Sequence, residues 1–266
     1  METEKKAVRS GGKRFLIVLI IVFFAFAIYY SIMSTIGTTR KLEELKKDFE
    51  TIESETNKVD EHLLTDSSYL RLLKERSFLQ SKVAMAKTDS IYLTVVLPDS
   101  IANLEISGVV VHKAKISSIH FSKFLQAENG NIILTLLSSP FNISNAYSTI
   151  RKEPLMIKIA PKDTSEYIPD IMPDTSIVEP VNYILEMTNG TRLYVYQEEH
   201  NNWSYRINVF RFDLKYRLLD IWSSLKSIAF LKVPEYHPFI KIKLSRADAK
   251  IIYRALPKNG QLAVFW

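Results

Sequence analysis

FLIVLIIVFFAFAIYYSIM, residues Phe15 to Met33, decides the architecture of this 266-residue chain. The run is 19 residues long and carries no charge. At about 1.5 Å rise per residue, a helix of that length reaches across the ~30 Å hydrocarbon core of a bilayer. The sequence beyond it is polar enough to fold in water. The reading is a tail over 1–14, a membrane helix over 15–33 and a water-facing body tethered by that helix.

The flanks set an orientation. Lys5, Lys6, Arg9, Lys13 and Arg14 precede the run, and an excess of Lys and Arg marks a cytoplasmic flank. Arg40, Lys41, Lys46 and Lys47 follow it, interleaved with Glu43, Glu44 and Asp48, so the asymmetry is modest. The expectation is an N-terminus in the cytoplasm, a single pass through the inner (cytoplasmic) membrane, and a body in the periplasm or outside. A rival reading is a cleaved signal peptide. Ala25-Phe26-Ala27 has the small-x-small form of a cleavage site behind an apolar core from Phe15 to Phe24. The run continues through Ile28, Tyr29, Tyr30, Ile32 and Met33, which favours an uncleaved anchor with the two tyrosines at the outer interface. The chain has no cysteine, which removes thiol catalysis, cysteine metal sites and disulfides.

Residues 34–88 read as a helical stalk. Leu42, Leu45, Phe49 and Ile52 step by three or four residues, and Thr56, Val59 and Leu63 continue the seam. A coiled coil and self-association through the stalk are expectations of that spacing. Thr65-Asp66-Ser67-Ser68 interrupts the seam and would cap a second helix carrying Tyr69, Leu70, Leu73, Phe78 and Leu79.

From about Asp89 to Trp266 the texture is that of strands, and the expected fold class is α+β. Ile91–Leu97, Leu104–Ser107, Val109–Val111, Ile132–Leu137, Ile184–Met187 and Arg192–Tyr196 are rich in β-branched, aromatic and aliphatic residues. Asn189-Gly190 between the last two signals a hairpin. Tyr205–Phe212 alternates and reads as a strand, with a helix over Leu214–Phe230. The C-terminal stretch reads as strand Phe239–Leu244, helix Arg246–Leu256 and strand Gln261–Phe265. In that helix Ala247, Ile251, Ile252 and Ala255 supply the apolar spacing. Four prolines and five acids fall between 160 and 180, which reads as a linker or surface excursion.

Charge is unevenly spread. Residues 89–205 hold eight Lys/Arg against thirteen Asp/Glu, whereas 206–258 hold twelve against four. That local excess suits an anionic partner: phospholipid headgroups, a cell-wall polymer or an acidic envelope protein. The candidate contacts are Lys241, Lys243, Arg246, Lys250 and Arg254. The same charges also serve as a solvated surface that balances the acidic half. Nucleic acid is not expected for a body outside the cytoplasm.

No motif for catalysis, metal or cofactor stands out, and none is assigned. Among His62, His112, His120, His200 and His237, no pair has the i, i+4 spacing of a helical zinc site. There is no Gly-x-Ser-x-Gly elbow and no glycine-rich phosphate loop.

One segment resembles a known family. In Lys241–Val264, Ile242-Lys243-Leu244-Ser245, Ala247-Asp248-Ala249 and Leu256-Pro257-x-x-Gly260 are similar to the end of the L,D-transpeptidase (YkuD-type) catalytic domain. There an Ile-Arg-Leu portion leads into an Asp-Ala helix, a turn and a last strand. Strands between Ile91 and Ile116 suit that family's opening hairpins. The departures fall on the chemistry. The family's nucleophilic cysteine position is Lys241, the preceding glycine is Ile240 and the motif histidine is Phe239. A thiolate nucleophile needs sulfur and a basic partner, and neither is present there. The resemblance therefore implies a degenerate, non-catalytic member for which wall glycan or peptide is a binding target. Lys241, beside Lys243 and Arg246, is expected to be an exposed charge. Two functions follow: an anchored envelope protein with a non-catalytic binding or scaffolding domain, or an envelope enzyme acting on wall or lipid substrates through a site without a motif.

Overall fold

A computed structural model describes residues 3–54, 67–126, 138–152, 179–198 and 203–266. Helix α1, Thr3–Ser54, contains the whole apolar run. Every side chain from Phe15 to Ile28 is exposed. The stretch Phe15–Lys47 reaches a mean hydropathy of 2.8, and it is long and apolar enough to cross a membrane. It is one N-terminal apolar helix of the kind that acts as a signal anchor or a membrane span. Beyond the run, Thr35, Thr38 and Thr39 donate their hydroxyls to carbonyls three or four residues earlier, as in Thr38 Oγ1 to Thr35 O at 2.7 Å. The helix so passes from apolar to polar sequence without a break.

The chain divides into two compact units. One gathers α1 up to Asp48 with Leu214–Tyr236; the other gathers Phe49–Asp213 with His237–Trp266. In the first, Gly37, Lys41 and Leu45 recur every four residues and form one buried face of α1. Gly37 has a specific cause there: a Cβ would stand 2.6 Å from the Pro234 carbonyl oxygen. Leu45 is 1% exposed and Leu42 half-buried, so the start of the expected seam is covered. The side chains of Phe49 and Ile52, and all of Thr56, Val59 and Leu63, lie outside the described residues.

Helix α3, Trp203–Ala229, contributes its second half to this unit. It ends in a Schellman turn. Lys232 N donates to Ser227 O at 2.8 Å and Leu231 N to Ile228 O at 2.9 Å. Leu231 takes φ 56°, the left-handed conformation that usually falls to glycine. A leucine there costs about 1 kcal/mol.

The second unit is built on a nine-stranded mixed sheet in the order β3-β2-β1-β9-β5-β6-β7-β8-β4. The strands are β1 Tyr92–Val96, β2 Ile101–Ile106, β3 Val109–Lys115, β4 Ser118–Phe121, β5 Phe141–Ser148, β6 Asn182–Met187, β7 Arg192–Gln197, β8 Phe239–Leu244 and β9 Gln261–Phe265. β1 with β9 and β7 with β8 are parallel; the remaining pairs are antiparallel. Ser107 and Gly108, with φ 48° and 84°, close the β2–β3 hairpin in the doubly left-handed geometry that matches strand twist. Gly190, φ 77°, closes the β6–β7 hairpin expected at Asn189-Gly190.

Helix α2, Ser67–Ala86, packs on the sheet rather than extending the stalk. Its Phe78 and Met85 join Tyr92 and Ala263 in one buried cluster. Leu79, beside Phe78 in the chain, is exposed. Helix α4, Arg246–Ala255, is capped by Ser245, whose Oγ accepts from Asp248 N at 3.1 Å. Ser245→Ala is expected to cost about 1 kcal/mol in a denaturant melt, with Ser245→Thr, which keeps the hydroxyl, restoring most of it.

Two expectations are corrected. Tyr205–Phe212 is not a strand but the first part of α3. Its apolar residues also repeat at three and four, as Tyr205, Val209 and Phe212 on the buried side. In α4 the buried residues are Ala249, Ile252 and Tyr253, whereas Ala247 and Ile251 are exposed. The strand expected at Ile132–Leu137 and nearly all of 160–180 lie outside the described residues.

Candidate functional site

The parallel pairing of β7 with β8 creates the most distinctive surface of the second unit. Register places Tyr194 beside Lys241 and Tyr196 beside Lys243. Because strand side chains alternate, Tyr194, Tyr196, Phe239, Lys241 and Lys243 share one face. Ile240, Ile242 and Leu244 fill the other and are buried. The Lys241 ammonium stands 5.1 Å from the Tyr194 ring centre, 5.3 Å from that of Phe239 and 5.6 Å from that of Tyr196. Asp213, from α3, lies 3.8 Å from it. Tyr196 Oη donates to the same carboxylate at 2.7 Å. Exposed His120 pairs with Lys241 across β4–β8.

The expectation of an exposed Lys241 is therefore corrected. Its side chain is 22% exposed and is held by three rings and a carboxylate. Such contacts stabilise an ammonium, whereas a lysine nucleophile acts as the neutral amine. The five candidate cations do not form one patch. Lys241 and Lys243 lie on the Tyr194 face. Arg246, Lys250 and Arg254 belong to α4, which packs on the opposite face; there Tyr253 meets Tyr183 of β6 at 5.0 Å between ring centres.

Further along the Tyr194 face, Glu186 accepts from Arg192 Nε at 2.9 Å and from Asn145 Nδ2 at 3.1 Å, with His237 Nδ1 3.8 Å away. Burial alone would push the Glu186 carboxyl up. The Arg192 hydrogen bond and charge, helped by Asn145 and His237, outweigh it and hold the group below the ordinary glutamate range. A general acid needs the opposite shift.

Two other constellations have structural explanations. His112 Nε2 lies 2.8 Å from Asp248 Oδ1, and Ser245 donates to Asp248 Oδ2 at 2.7 Å. The carboxylate sits between histidine and serine, so the base does not touch the hydroxyl as nucleophile activation requires. Fully buried Glu105 accepts from Thr94 Oγ1 at 2.6 Å and Tyr92 Oη at 3.2 Å, with Lys82 Nζ at 3.1 Å. Desolvation first, then the Glu105 charge, raise the Tyr92 phenol. This cluster fastens α2 to the sheet. Among the described residues no group of three or more His, Cys, Asp or Glu could hold a metal ion.

Sequence reasoning singled out Lys241 but missed Tyr194, Tyr196 and Asp213 around it. Tyr-x-Tyr on one strand and Lys-x-Lys on another were visible signals; the parallel pairing that joins them was not. No family model, curated protein or solved structure matches this chain.

Proposed function

We propose that this chain is a single-pass protein of the bacterial cell envelope, anchored in the inner membrane with its domain outside the cytoplasm, and that the domain binds or scaffolds rather than catalyses. The observation that carries the reading is α1: an exposed apolar helix that continues unbroken into polar sequence and ends among the domain-bearing residues. The pairing of charges supports the non-catalytic half of the reading. Lys241 is held by Asp213, Glu186 by Arg192, and Asp248 by His112 and Ser245. The partner we favour is a cell-wall polymer or envelope protein, in keeping with a degenerate L,D-transpeptidase-type relative whose nucleophile position is Lys241.

A C-terminal alkaline phosphatase fusion should be active, and the mature protein should retain its N-terminus. A mature protein starting at Ile28 would replace the anchor with a cleaved signal. The purified full-length protein should bind peptidoglycan fragments or an envelope partner without turning fragments over. The runner-up, an envelope enzyme, draws on Lys241 and the exposed His120 that pairs with it across β4–β8. Turnover that vanishes in Lys241→Ala would put that reading first.

A further inference from the structure

Helix α3 is apolar on two sides. Phe212 and Tyr216 turn inward, buried or half-buried. Leu214, Leu218, Ile221 and Trp222 are all exposed, Trp222 at 71%. At about 100° of rotation per residue these four occupy one stripe about 100° wide. Lys215 and Lys226 border it on one side and Arg217 on the other, all exposed. The helix ends on Phe230 and Leu231, 68% and 79% exposed. Between Leu214 and Lys232 there are four cations and a single acid, Asp220. An apolar stripe bordered by Lys and Arg is how a helix lies in a membrane interface.

The level of this helix end follows from its contact with α1 inside the same unit. Gly37 stands four residues beyond Met33, or about 6 Å. The headgroup layer is about 5–7 Å deep on each side of a bilayer. Pro234, which meets Gly37, therefore lies at headgroup depth if α1 spans. Leu231 is three residues away, within about 10 Å. At the same level a cleft of about 230 Å³, walled by Arg40, Lys41, Pro234 and Tyr236, opens between α1 and 233–236.

We propose that the Leu214–Leu231 face of α3 docks on the surface of the bilayer that α1 spans. Trp222, Phe230 and Leu231 enter the interface, and Lys215, Arg217, Lys226 and Lys232 meet anionic phospholipid headgroups. The proposal rests on the membrane-span reading of α1. It gives the left-handed leucine a role: the most exposed apolar side chain of the helix end occupies a position where glycine would suit the backbone better.

The test uses the full-length chain in vesicles of phosphatidylcholine with phosphatidylglycerol, and of phosphatidylcholine alone. The absence of cysteine permits single spin labels at Phe23→Cys, Leu218→Cys and Leu231→Cys, with a free water-soluble nitroxide as the aqueous control. The ratio of oxygen to nickel-chelate collisions reports depth. Phe23 should read as hydrocarbon in both vesicles. Leu218 and Leu231 should read at least threefold above the aqueous control in anionic vesicles, and less in neutral ones. Leu231→Gly should leave the melting temperature unchanged or higher while lowering the Leu218 ratio at least twofold. Water-like ratios at 218 and 231 with Phe23 in hydrocarbon would overturn the docking alone. So would spin–spin broadening at 218 with protection from both reagents, which would mean a second copy covers the face. A water-accessible Phe23 would overturn the anchor and the docking together.

Discussion

Tyr183→Ala should destabilise the domain by about 4 kcal/mol, the scale for emptying an aromatic site in a packed core. Tyr183 is 0% exposed on β6, within the sheet, and its ring meets Tyr253 of α4. Losing it opens a void between sheet and helix that neighbouring strands are too constrained to fill. The companion variant runs the other way. The Tyr183 hydroxyl is buried without a polar partner among the described residues. Burial first, then the proximity of Tyr253, push its ionisation far above the ordinary tyrosine range. An unsatisfied buried hydroxyl costs about 1–3 kcal/mol, so Tyr183→Phe should raise stability by about 1 kcal/mol. Denaturant midpoints with unchanged slopes would verify both. A phenylalanine variant weaker than wild type by more than about 1 kcal/mol would mean that the hydroxyl has a partner.

Glu186→Gln should cost about 3 kcal/mol at pH 7, because it leaves the Arg192 guanidinium buried without its counter-charge. Both side chains are 11% exposed, so little solvent screening relieves the loss. The effect carries a pH signature. The Glu186 carboxyl is held below its unfolded value, so its contribution is complete above the unfolded glutamate range, about pH 4.3. It fades as pH falls through the lower folded value. Wild type and variant should therefore converge in strongly acidic buffer. A gap that persists undiminished at pH 2 would show that packing, not charge, sets the cost.

Local sequence carried much of this fold because many elements declare themselves locally. The strands Phe239–Leu244 and Gln261–Phe265 emerge with the expected bounds. The first has strict alternation of buried and half-buried residues. The hairpin signalled by Asn189-Gly190 falls at Gly190. The misreading of Tyr205–Phe212 has a physical source. A helix with one apolar side shows gaps of three and four, but α3 has two such sides. Ile207 and Phe210, both exposed, fill the gaps between Tyr205, Val209 and Phe212, and the sum imitates a period of two. In α4, the buried Ala249, Ile252 and Tyr253 and the expected Ala247, Ile251, Ile252 and Ala255 are both acceptable apolar sets, sharing only Ile252. Only the neighbouring sheet chooses between them. The surroundings of Lys241 were illegible for a related reason: Tyr194 lies 47 positions earlier, and nothing local states that its strand runs parallel to β8.

Strand β9 follows every other strand in the chain yet sits near the middle of the sheet, between β1 and β5. Among the described residues, the β1–β3 meander and the β5–β8 group have no direct ladder to one another except through it. Synthesis therefore delivers two fragments of a sheet first and the piece that joins them afterwards. Until Gln261–Phe265 has emerged, Leu93, Val95 and Ile143 line unfinished edges, and contacts this distant in sequence form slowly. A chain cut short before residue 261 would leave those edges open to pairing with other molecules.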